Sequence, residues 1–391
     1  MKKPLASFYG VLIPAGFLGV LGLIMVFSAS SVKSLQQSGT SIGIVGRQAL
    51  LFLVGLILAF LIIRLPLRIL ERVGRLSILL SAFILALPQI PGLGKEVNGN
   101  RNWIEIAGFT FQPSEFAKVG FILWIASVLH RFESKKLRGE VNDLAKEIIP
   151  GIVLIIGLIL IGEDLGTAIV FAAIASGLIF IAGIPLRWFA LGLAGVFSLM
   201  LVAVLTEPDR IYRIKALFDP FSDENYQNAG WQPAHSIMGL ASGGIFGSGL
   251  GASKQKWGNL AEAHTDFIFA VIGEEMGLLG TLTVLFLLGF LLLSIFRISL
   301  RAKSLFERYL AAGIGVWFLA QIGINIGSVT GVIPVIGVTL PLISYGGSSL
   351  IANLVGLGLV IGIALRDPKV HSELAARAKA LTKAQRSIAP Q

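Results

Sequence analysis

Cysteine is absent from this chain of 391 residues, and histidine occurs only four times. A chain without thiols has no disulfide framework, and it has no thiolate to bind a metal or to act as a nucleophile. The histidines are scattered, and no local pair has the spacing of a helical metal site. The sequence therefore predicts no resident metal centre.

Charged residues are also scarce, at 14% of the chain against 55% hydrophobic residues. Soluble domains carry about 25% charged residues, so the composition predicts a polytopic membrane protein. The net charge of +10 is compatible with a nucleic-acid partner. However, the basic residues cluster at the ends of apolar runs, which is the topology pattern of a membrane protein. No nucleic-acid partner is expected.

Apolar runs predict about ten spans of ~20 residues each. The first run is too long for the apolar region of a signal peptide and is interpreted as a retained span. The predicted fold is an all-α membrane domain over 1–365, followed by a flexible basic tail over 366–391. The spans are expected near 9–29, 47–64, 75–90, 113–130, 148–162, 164–184, 187–206, 266–296, 309–331 and 345–365.

Basic residues occupy alternate connections between these spans and both ends of the chain. By the positive-inside rule these segments are cytoplasmic, so both termini are predicted to lie inside. The residues are Lys2, Lys3, Arg64, Arg68, Arg72, Arg75, Arg131, Lys135, Lys136, Arg138, Lys146, Arg187, Arg297, Arg301, Lys303, Arg308, and Arg366, Lys369, Arg377, Lys379, Lys383 and Arg386 of the tail.

The opposite, extracytoplasmic side carries loops near 91–112, 207–265 and 332–344. The long second loop is expected to be partly helical, and no strand-rich domain is expected in any of them. The third loop is apolar but contains Pro334 and Pro341, so it cannot form one regular helix. Such a segment is predicted to re-enter the membrane or to lie in its interface.

Three ionisable side chains lie within five positions of each other at the start of the eighth apolar run: Glu262, His264 and Asp266. A carboxylate beside a low-dielectric wall has a raised pKa and suits a general base. The alternative is that Asp266 or Thr265 is the N-cap of the helix that follows. Three ionisable groups are more than a cap requires. The pattern favours a catalytic Asp266, with His264 among the substrate contacts.

The fourth span follows a loop that contains Arg101 and Trp103, and it begins at Pro113, which suits a first helical turn. Glu115 and Lys118 are three positions apart and able to pair. Ionisable groups within a span are functional by default, and a structural ion pair at the interface is the alternative. The planar donor fork of Arg101 suits an anionic headgroup or a diphosphate.

Two other segments supply binding candidates. Asp164 stands at a predicted helix start, where it is either an N-cap or a rim carboxylate that binds a cation or a sugar hydroxyl. Gln232 and His235 lie among aromatic residues, a composition that suits either a sugar-binding surface or a plain scaffold.

The last candidates are Ser344, Tyr345 and Ser348, in the sequence ISYGGSS. Exposed amides at a helix start are able to hold phosphate. Small residues equally allow close packing between helices, and the two interpretations carry equal weight.

In order along the chain, NGNRNWI…FQPSEFAK, GEDLGTA, GWQPAHSIMGLASGGIFGSGLG, EAHTDFIFAVIGEEMG and PVIGVTLPLISYGGSS resemble the SEDS family of shape, elongation, division and sporulation membrane proteins. The amino-acid sequences of the last two motifs resemble those of the division members more than those of the rod-elongation members. Glu163, Trp231 and His235 depart from the usual motifs, so no specific role is carried over to them.

The resemblance implies a peptidoglycan glycosyltransferase that polymerises lipid II at the outer face of the cytoplasmic membrane, at the division septum. It implies a class B penicillin-binding protein as partner, together with other division proteins. The family's essential acidic residue corresponds to Asp266. A divalent cation, Mg²⁺ or Mn²⁺, is an option beside the leaving diphosphate, and no cofactor is required by the sequence.

Two other functions fit parts of the pattern. A transporter that flips lipid II would use Glu115, Lys118, Glu274 and Glu275 as a polar path. The ionisable groups, however, gather toward one side, which favours surface chemistry. A non-catalytic division scaffold would leave the polar cluster around Asp266 unexplained.

Overall fold

The computed structural model describes residues 4–97, 99–106, 109–134, 141–205 and 208–377. Ten helices of 17 or more residues dominate this part of the chain. Six of them, α1, α2, α5, α11, α12 and α13 as bounded below, are long and apolar enough to cross a membrane, and α6 is a shorter apolar helix. The prediction of a mostly helical, polytopic membrane protein is confirmed.

The elements follow one another along the chain, with the longest connections before α11 and before α13. They are α1 (Pro4–Ser38), α2 (Gly43–Ile63), α3 (Leu67–Ala86), β1 (Gly94–Val97), β2 (Asn100–Ile106), β3 (Phe109–Phe111), α4 (Pro113–Ser134), α5 (Val141–Ile161), α6 (Leu165–Ile181), α7 (Leu186–Leu205), α8 (Pro208–Phe218), α9 (Asp223–Tyr226), α10 (Trp231–Ser242), α11 (Ile268–Arg301), α12 (Leu305–Val329) and α13 (Gly347–Leu365).

Several predicted basic residues lie outside the described part of the chain. They are Lys2, Lys3, Lys135, Lys136, Arg138, Lys379, Lys383 and Arg386. Most of the predicted tail, residues 378–391, lies outside it as well, and residues 368–377 are helical.

Small residues bring the long helices together. Gly358 of α13 lies so close to Ala59 of α2 that an added Cβ would be 2.9 Å from the Ala59 carbonyl oxygen. Gly74 of α3 meets the carbonyl of Leu123 in α4 in the same way, at 2.9 Å. In lipid, helix association depends on such close packing, because the hydrophobic effect does not distinguish a neighbouring helix from a lipid tail.

The loop before α4 contains a three-stranded antiparallel sheet in the order β1-β2-β3, which the sequence did not lead us to expect. Gly94 pairs with Ile104, which pairs in turn with Phe111. Gly99 turns the first hairpin with φ +82°, a conformation that glycine adopts without strain. These strands are only four, seven and three residues long, so their alternating pattern is too short to stand out.

The long loop between α7 and α11 contains the three short helices α8 to α10 and a glycine-rich stretch, residues 243–251. This stretch packs on α11 at Gly277, where φ +67° interrupts the helix. The amides of Ser248 and Gly249 donate to the carbonyls of Glu274 and Glu275, at 2.9 and 3.0 Å. The helix is therefore kinked where the loop replaces its own hydrogen bonds.

Glu274 and Glu275 hold the loop through their side chains too. The Glu275 carboxylate accepts from the Ser28 hydroxyl of α1, at 2.6 Å, and pairs with Lys256 at 3.2 Å. The Glu274 carboxylate accepts from the Ser253 hydroxyl, at 2.5 Å, and from the Lys254 amide, at 2.8 Å. Buried carboxylates are tolerated when they are bonded in this way.

We expect Lys256→Met to lower the free energy of unfolding by about 3–5 kcal/mol, because it leaves the Glu275 carboxylate buried without its counter-charge. The apparent unfolding temperature of purified protein in detergent measures the loss. Lys95→Met is the matched control: it removes an exposed pair with Glu105 and should cost less than about 1 kcal/mol. Equal shifts for the two variants would contradict a stabilising role for the buried pair.

Candidate active site

Asp266 lies in a turn, residues 261–267, that leads into α11. The amides of Thr265 and Phe267 both donate to the carbonyl of Glu262, at 3.2 Å. Phe267 occupies the N-cap position, and no side chain caps the helix. The alternative interpretation, in which Asp266 or Thr265 caps the helix, is therefore wrong, because these residues lie one and two positions before the N-cap. The Thr265 hydroxyl donates instead to the Glu262 carboxylate, at 2.8 Å.

The main chain of Asp266 is fixed by Asn325 of α12. The Asn325 amide group donates to the carbonyl of Asp266 at 2.7 Å and to that of Val338 at 2.8 Å. Gly337, next to Val338, has φ +77°, and a Cβ there would lie 3.5 Å from Asp266 Oδ2. One buried side chain thus holds the Asp266 turn against the irregular segment 332–344.

The start of α6 packs on the same segment. Asp164 caps this helix, since its Oδ1 accepts from the Thr167 amide at 2.9 Å, and the cap interpretation is confirmed. Asp164 Oδ2 also accepts from the Thr167 hydroxyl, at 2.7 Å, and from the Asn102 amide. At Gly166 an added Cβ would be 2.8 Å from the Ile336 carbonyl oxygen. The Asp164 carboxylate therefore joins β2 to the start of α6, and Gly166 brings this helix start against the irregular segment.

The surroundings of Asp266 disfavour its charged form. Burial by protein raises the pKa of the Asp266 carboxyl from 3.8 to about 7, and the negative charges of Glu262 and Asp164 contribute further in that order. Near neutral pH the group exists in both protonation states. A carboxylate with a pKa close to the working pH is suited to accept a proton.

His264 has the opposite shift. Burial lowers the pKa of its imidazole to about 4, and the positive charge of Lys33 lowers it further. The ring is neutral at neutral pH and lies 5.4 Å from the Tyr345 ring, measured between centroids. The Tyr345 amide donates to the His264 carbonyl at 2.8 Å. The structure thus brings together two of the predicted binding residues beside Asp266.

The hydroxyls of Ser344 and Ser348 are used within the protein. Ser344 Oγ accepts from the Leu340 amide at 2.8 Å, and Ser348 Oγ accepts from the Gln112 amide at 3.0 Å. Both side chains are buried. These contacts favour the interpretation that the small polar residues before α13 serve close packing.

Glu115 and Lys118 form the predicted ion pair within α4, with Lys118 Nζ 2.8 Å from Glu115 Oε1. The ammonium group also lies 5.2 Å from the centre of the Trp317 ring. Lys118 is only 1% exposed, and Glu115 5%. Among the described residues Glu115 Oε2 has no hydrogen-bond partner. The pair belongs to the interior of the bundle.

Within the described ranges, the side chains of Arg101, Trp103 and Gln232 form no hydrogen bond or ion pair with the Asp266 turn. Arg101 is exposed on β2, where its amide donates to the Gly162 carbonyl at 3.2 Å. Trp103 is half-buried on the same strand, and Gln232 is half-buried on α10. On that helix the ring of His235 packs on Trp231, 4.2 Å away, and bonds Gln255 at 2.9 Å, which is a scaffold arrangement.

Sequence reasoning missed Asn325, Gly337 and Asn102. Asn325 had a usable pattern, because a lone amide within an apolar span needs a polar partner. Gly337 and Asn102 have no such pattern, since their contacts arise only when distant segments meet.

The site offers little to a divalent cation. Within the described ranges, no group of three or more His, Asp and Glu side chains is arranged to hold a metal. Asp164, whose charge acts on Asp266, already accepts hydrogen bonds from Thr167 and Asn102. No step of the chemistry is therefore assigned to a metal.

A profile of the FtsW, RodA and SpoVE family, described as "Cell cycle protein", matches residues 10–368. The chain belongs to this family. The SEDS resemblance drawn from five motifs is thereby confirmed. The matched region contains all ten long helices, at least in part, and the segment around Asp266.

Relatives and solved structures agree with this assignment. The probable peptidoglycan glycosyltransferase FtsW of Mycobacterium tuberculosis is 39% identical over 378 residues, which are 96% of this chain and 71% of the relative. Stage V sporulation protein E of Bacillus subtilis is 38% identical, covering 88% of this chain and 93% of the relative.

Two solved structures extend the comparison. A chain of a peptidoglycan synthase complex, studied for the coordination of polymerization and crosslinking, superposes with a TM-score of 0.72 at 30% identity, covering 91% of this chain and 97% of that chain. The rod shape determining protein RodA of Thermus thermophilus gives 0.68 at 30% identity, covering 91% and 96%.

We expect Asn325→Leu to increase hydrogen exchange in residues 332–344, because two carbonyls lose their donor and the segment loses its tie to α12. Exchange measured by mass spectrometry on the protein in detergent tests this. Gln321→Leu is the matched control, as it removes a buried amide one turn away on the same helix. If both variants exchange like the wild type in this segment, Asn325 does not hold it.

Proposed function

We propose that this chain is a peptidoglycan glycosyltransferase that polymerises lipid II, with Asp266 as the general base. The activity is the one for which its FtsW relatives are named. The role of Asp266 rests on one observation: its carboxyl group has a pKa of about 7 and is not used by the helix start.

In this reaction the 4-hydroxyl of an acceptor N-acetylglucosamine attacks the anomeric carbon of the donor N-acetylmuramic acid. Asp266 takes the hydroxyl proton as the new C–O bond forms. The bond to undecaprenyl diphosphate breaks with inversion at the anomeric carbon. Diphosphate leaves without strong general-acid help, so one carboxylate is sufficient.

Charge that builds on the leaving diphosphate requires a cation. Arg101 is exposed on β2, and this strand is tied to the Asp164 cap through Asn102. The Arg101 guanidinium is therefore the candidate. Lys118 is less suited, because it is buried and its charge is already paired with Glu115.

The proposed setting is the cytoplasmic membrane at the division septum, with ten spans and both termini inside. The basic connections support this orientation, which places the Asp266 turn on the outer face. We further propose a class B penicillin-binding protein as partner, along with other division proteins. The similarity to a chain of a complex that coordinates polymerization and crosslinking supports such a partner.

Surface chemistry is favoured over transport of lipid II by the environment of Glu274 and Glu275. Their carboxylates bond to Ser253, Lys254 and Ser28. Groups that hold a loop in place in this way are poorly suited to line a changing path for a substrate. Polymerisation of lipid II by the purified protein, with and without a penicillin-binding partner, distinguishes polymerase, transporter and scaffold.

Asp266→Asn should reduce polymerisation of lipid II by roughly 10²- to 10⁴-fold, the usual contribution of a general base. The amide keeps the shape of the side chain, so the unfolding temperature should stay near that of the wild type. Gel analysis of glycan strands made with the partner present measures the product. Activity within a few-fold of the wild type would remove Asp266 from the proposed role.

The rate should rise with pH through a midpoint near 7 and then level off. The rate rises with pH because only the deprotonated Asp266 carboxylate accepts a proton, and the carboxylate is protonated at lower pH. Glu262→Gln should move this midpoint to lower pH, since it removes a negative charge that raises the Asp266 pKa. Glu105→Gln, an exposed change on β2, should leave the midpoint in place. A midpoint unmoved by Glu262→Gln would contradict the assignment.

A further inference from the structure

A cavity of about 220 Å³ lies at the ends of the long helices that are remote from Asp266. It is bounded by the starts of α1, α3 and α12 and by the ends of α11 and α13. On α12, Glu307 lines the cavity and Asn325 contacts Asp266, and these residues are separated by about 27 Å along the helix. The cavity is therefore a different site from the one described above.

Part of the cavity lining, named the floor below, is apolar. It consists of Leu67, Ile298, Ile363, Ala364 and Val370, which come from four different segments of the chain. Their side chains leave a space that the protein itself does not fill. Such a surface suits hydrocarbon, not a hydrated ion.

The rim carries three basic side chains, Arg301, Lys303 and Arg366. Arg301 Nη1 donates to Ser7 Oγ at 3.2 Å, which holds its guanidinium at the cavity and leaves its other donors available. Arg366 is held by Glu307, at 3.1 Å. A guanidinium that is already held in place binds phosphate at a smaller entropic cost.

Two acidic residues also line the cavity, and both are engaged. The Glu307 carboxylate pairs with Arg366, and the Asp367 carboxylate accepts from the Lys369 amide at 3.0 Å. Throughout the described ranges, neither Arg301 nor Lys303 has an ion-pair partner. Three positive charges against two negative ones leave the rim basic.

We propose that this cavity binds the headgroup of an anionic phospholipid from the inner leaflet. The phosphate contacts Arg301 and Lys303, and the glycerol with the first acyl carbons lies on the apolar floor. The cytoplasmic leaflet is the anionic one, and basic pockets between spans on that side are suited to such headgroups. The location rests on the proposed orientation of the chain, and it does not depend on the glycosyltransferase reaction.

A bound headgroup would contact the ends of several helices at once. Arg301 belongs to α11 and Arg366 follows α13, while Lys303 lies in the short connection before α12. A ligand that binds only the folded protein stabilises it by mass action. Lipid-dependent stability is therefore the expected property of this site.

The experiment uses full-length protein, stripped of lipid in detergent, with phosphatidylglycerol, phosphatidylcholine or inorganic phosphate added. Native mass spectrometry measures bound lipid, and the unfolding temperature measures stabilisation. Arg301→Gln keeps a hydrogen-bonding group for Ser7 but should weaken phosphatidylglycerol binding about five-fold, the effect of one interfacial charge. Ala302→Phe should block binding by filling the cavity without a change of charge.

Arg297→Gln is the matched control, because it removes the same charge one turn away on α11 from a residue that does not line the cavity. The proposal is supported if the wild type and this control bind phosphatidylglycerol in preference to phosphatidylcholine, while Arg301→Gln binds it about five-fold more weakly and Ala302→Phe does not bind it. Equal binding by all four proteins overturns it. Equal stabilisation by inorganic phosphate would overturn the lipid as the occupant. If Arg301→Gln fails to fold, Ala302→Phe decides between these outcomes.

Discussion

Main-chain amides and carbonyls without a helical hydrogen-bond partner are costly inside an apolar helix bundle. The irregular segment 332–344 brings several such groups into the bundle of this protein. Side chains from neighbouring helices supply hydrogen bonds to them. Asn325 donates to the carbonyls of Asp266 and Val338, and Gln48 donates to that of Ser344, at 3.1 Å. The same hydrogen bonds that pair these main-chain carbonyls therefore fix the position of Asp266, the proposed base.

The same helices carry opposite chemistry at their two ends. At one end carboxylates meet, and their mutual repulsion helps to keep a proton near Asp266. At the other end basic residues surround a cavity with an apolar floor. The proposed reaction site and the proposed lipid site thus lie at opposite ends of one bundle, and they carry opposite charge. Under the proposed orientation the two sites face opposite leaflets of the membrane.

Much of the helical architecture followed from the sequence, because apolar runs of the length a bilayer requires leave few alternatives. The Asp164 cap and the Glu115 and Lys118 pair also depend on neighbours three positions apart. The sheet before α4 and the clamp by Asn325 did not follow. They depend on contacts between segments that are distant in sequence, and neither strand length nor local polarity encodes them. For the same reason the sequence left open a cap role for Asp266, whereas in the structure the N-cap is Phe267.

The kink at Gly277 divides α11 into two parts with different attachments. Around the kink, Glu274, Glu275, Leu278 and Leu279 share main-chain hydrogen bonds with the glycine-rich stretch. Farther along the helix, Ser294 and Phe296 lie against Gly10 of α1 and Gly315 of α12. The segment of α11 around Gly277 is therefore attached to the loop that precedes the helix, although it is continuous with a predicted span. Asp266 lies two residues before this helix begins. A displacement of the glycine-rich stretch would therefore be transmitted to Asp266 through the first turns of α11.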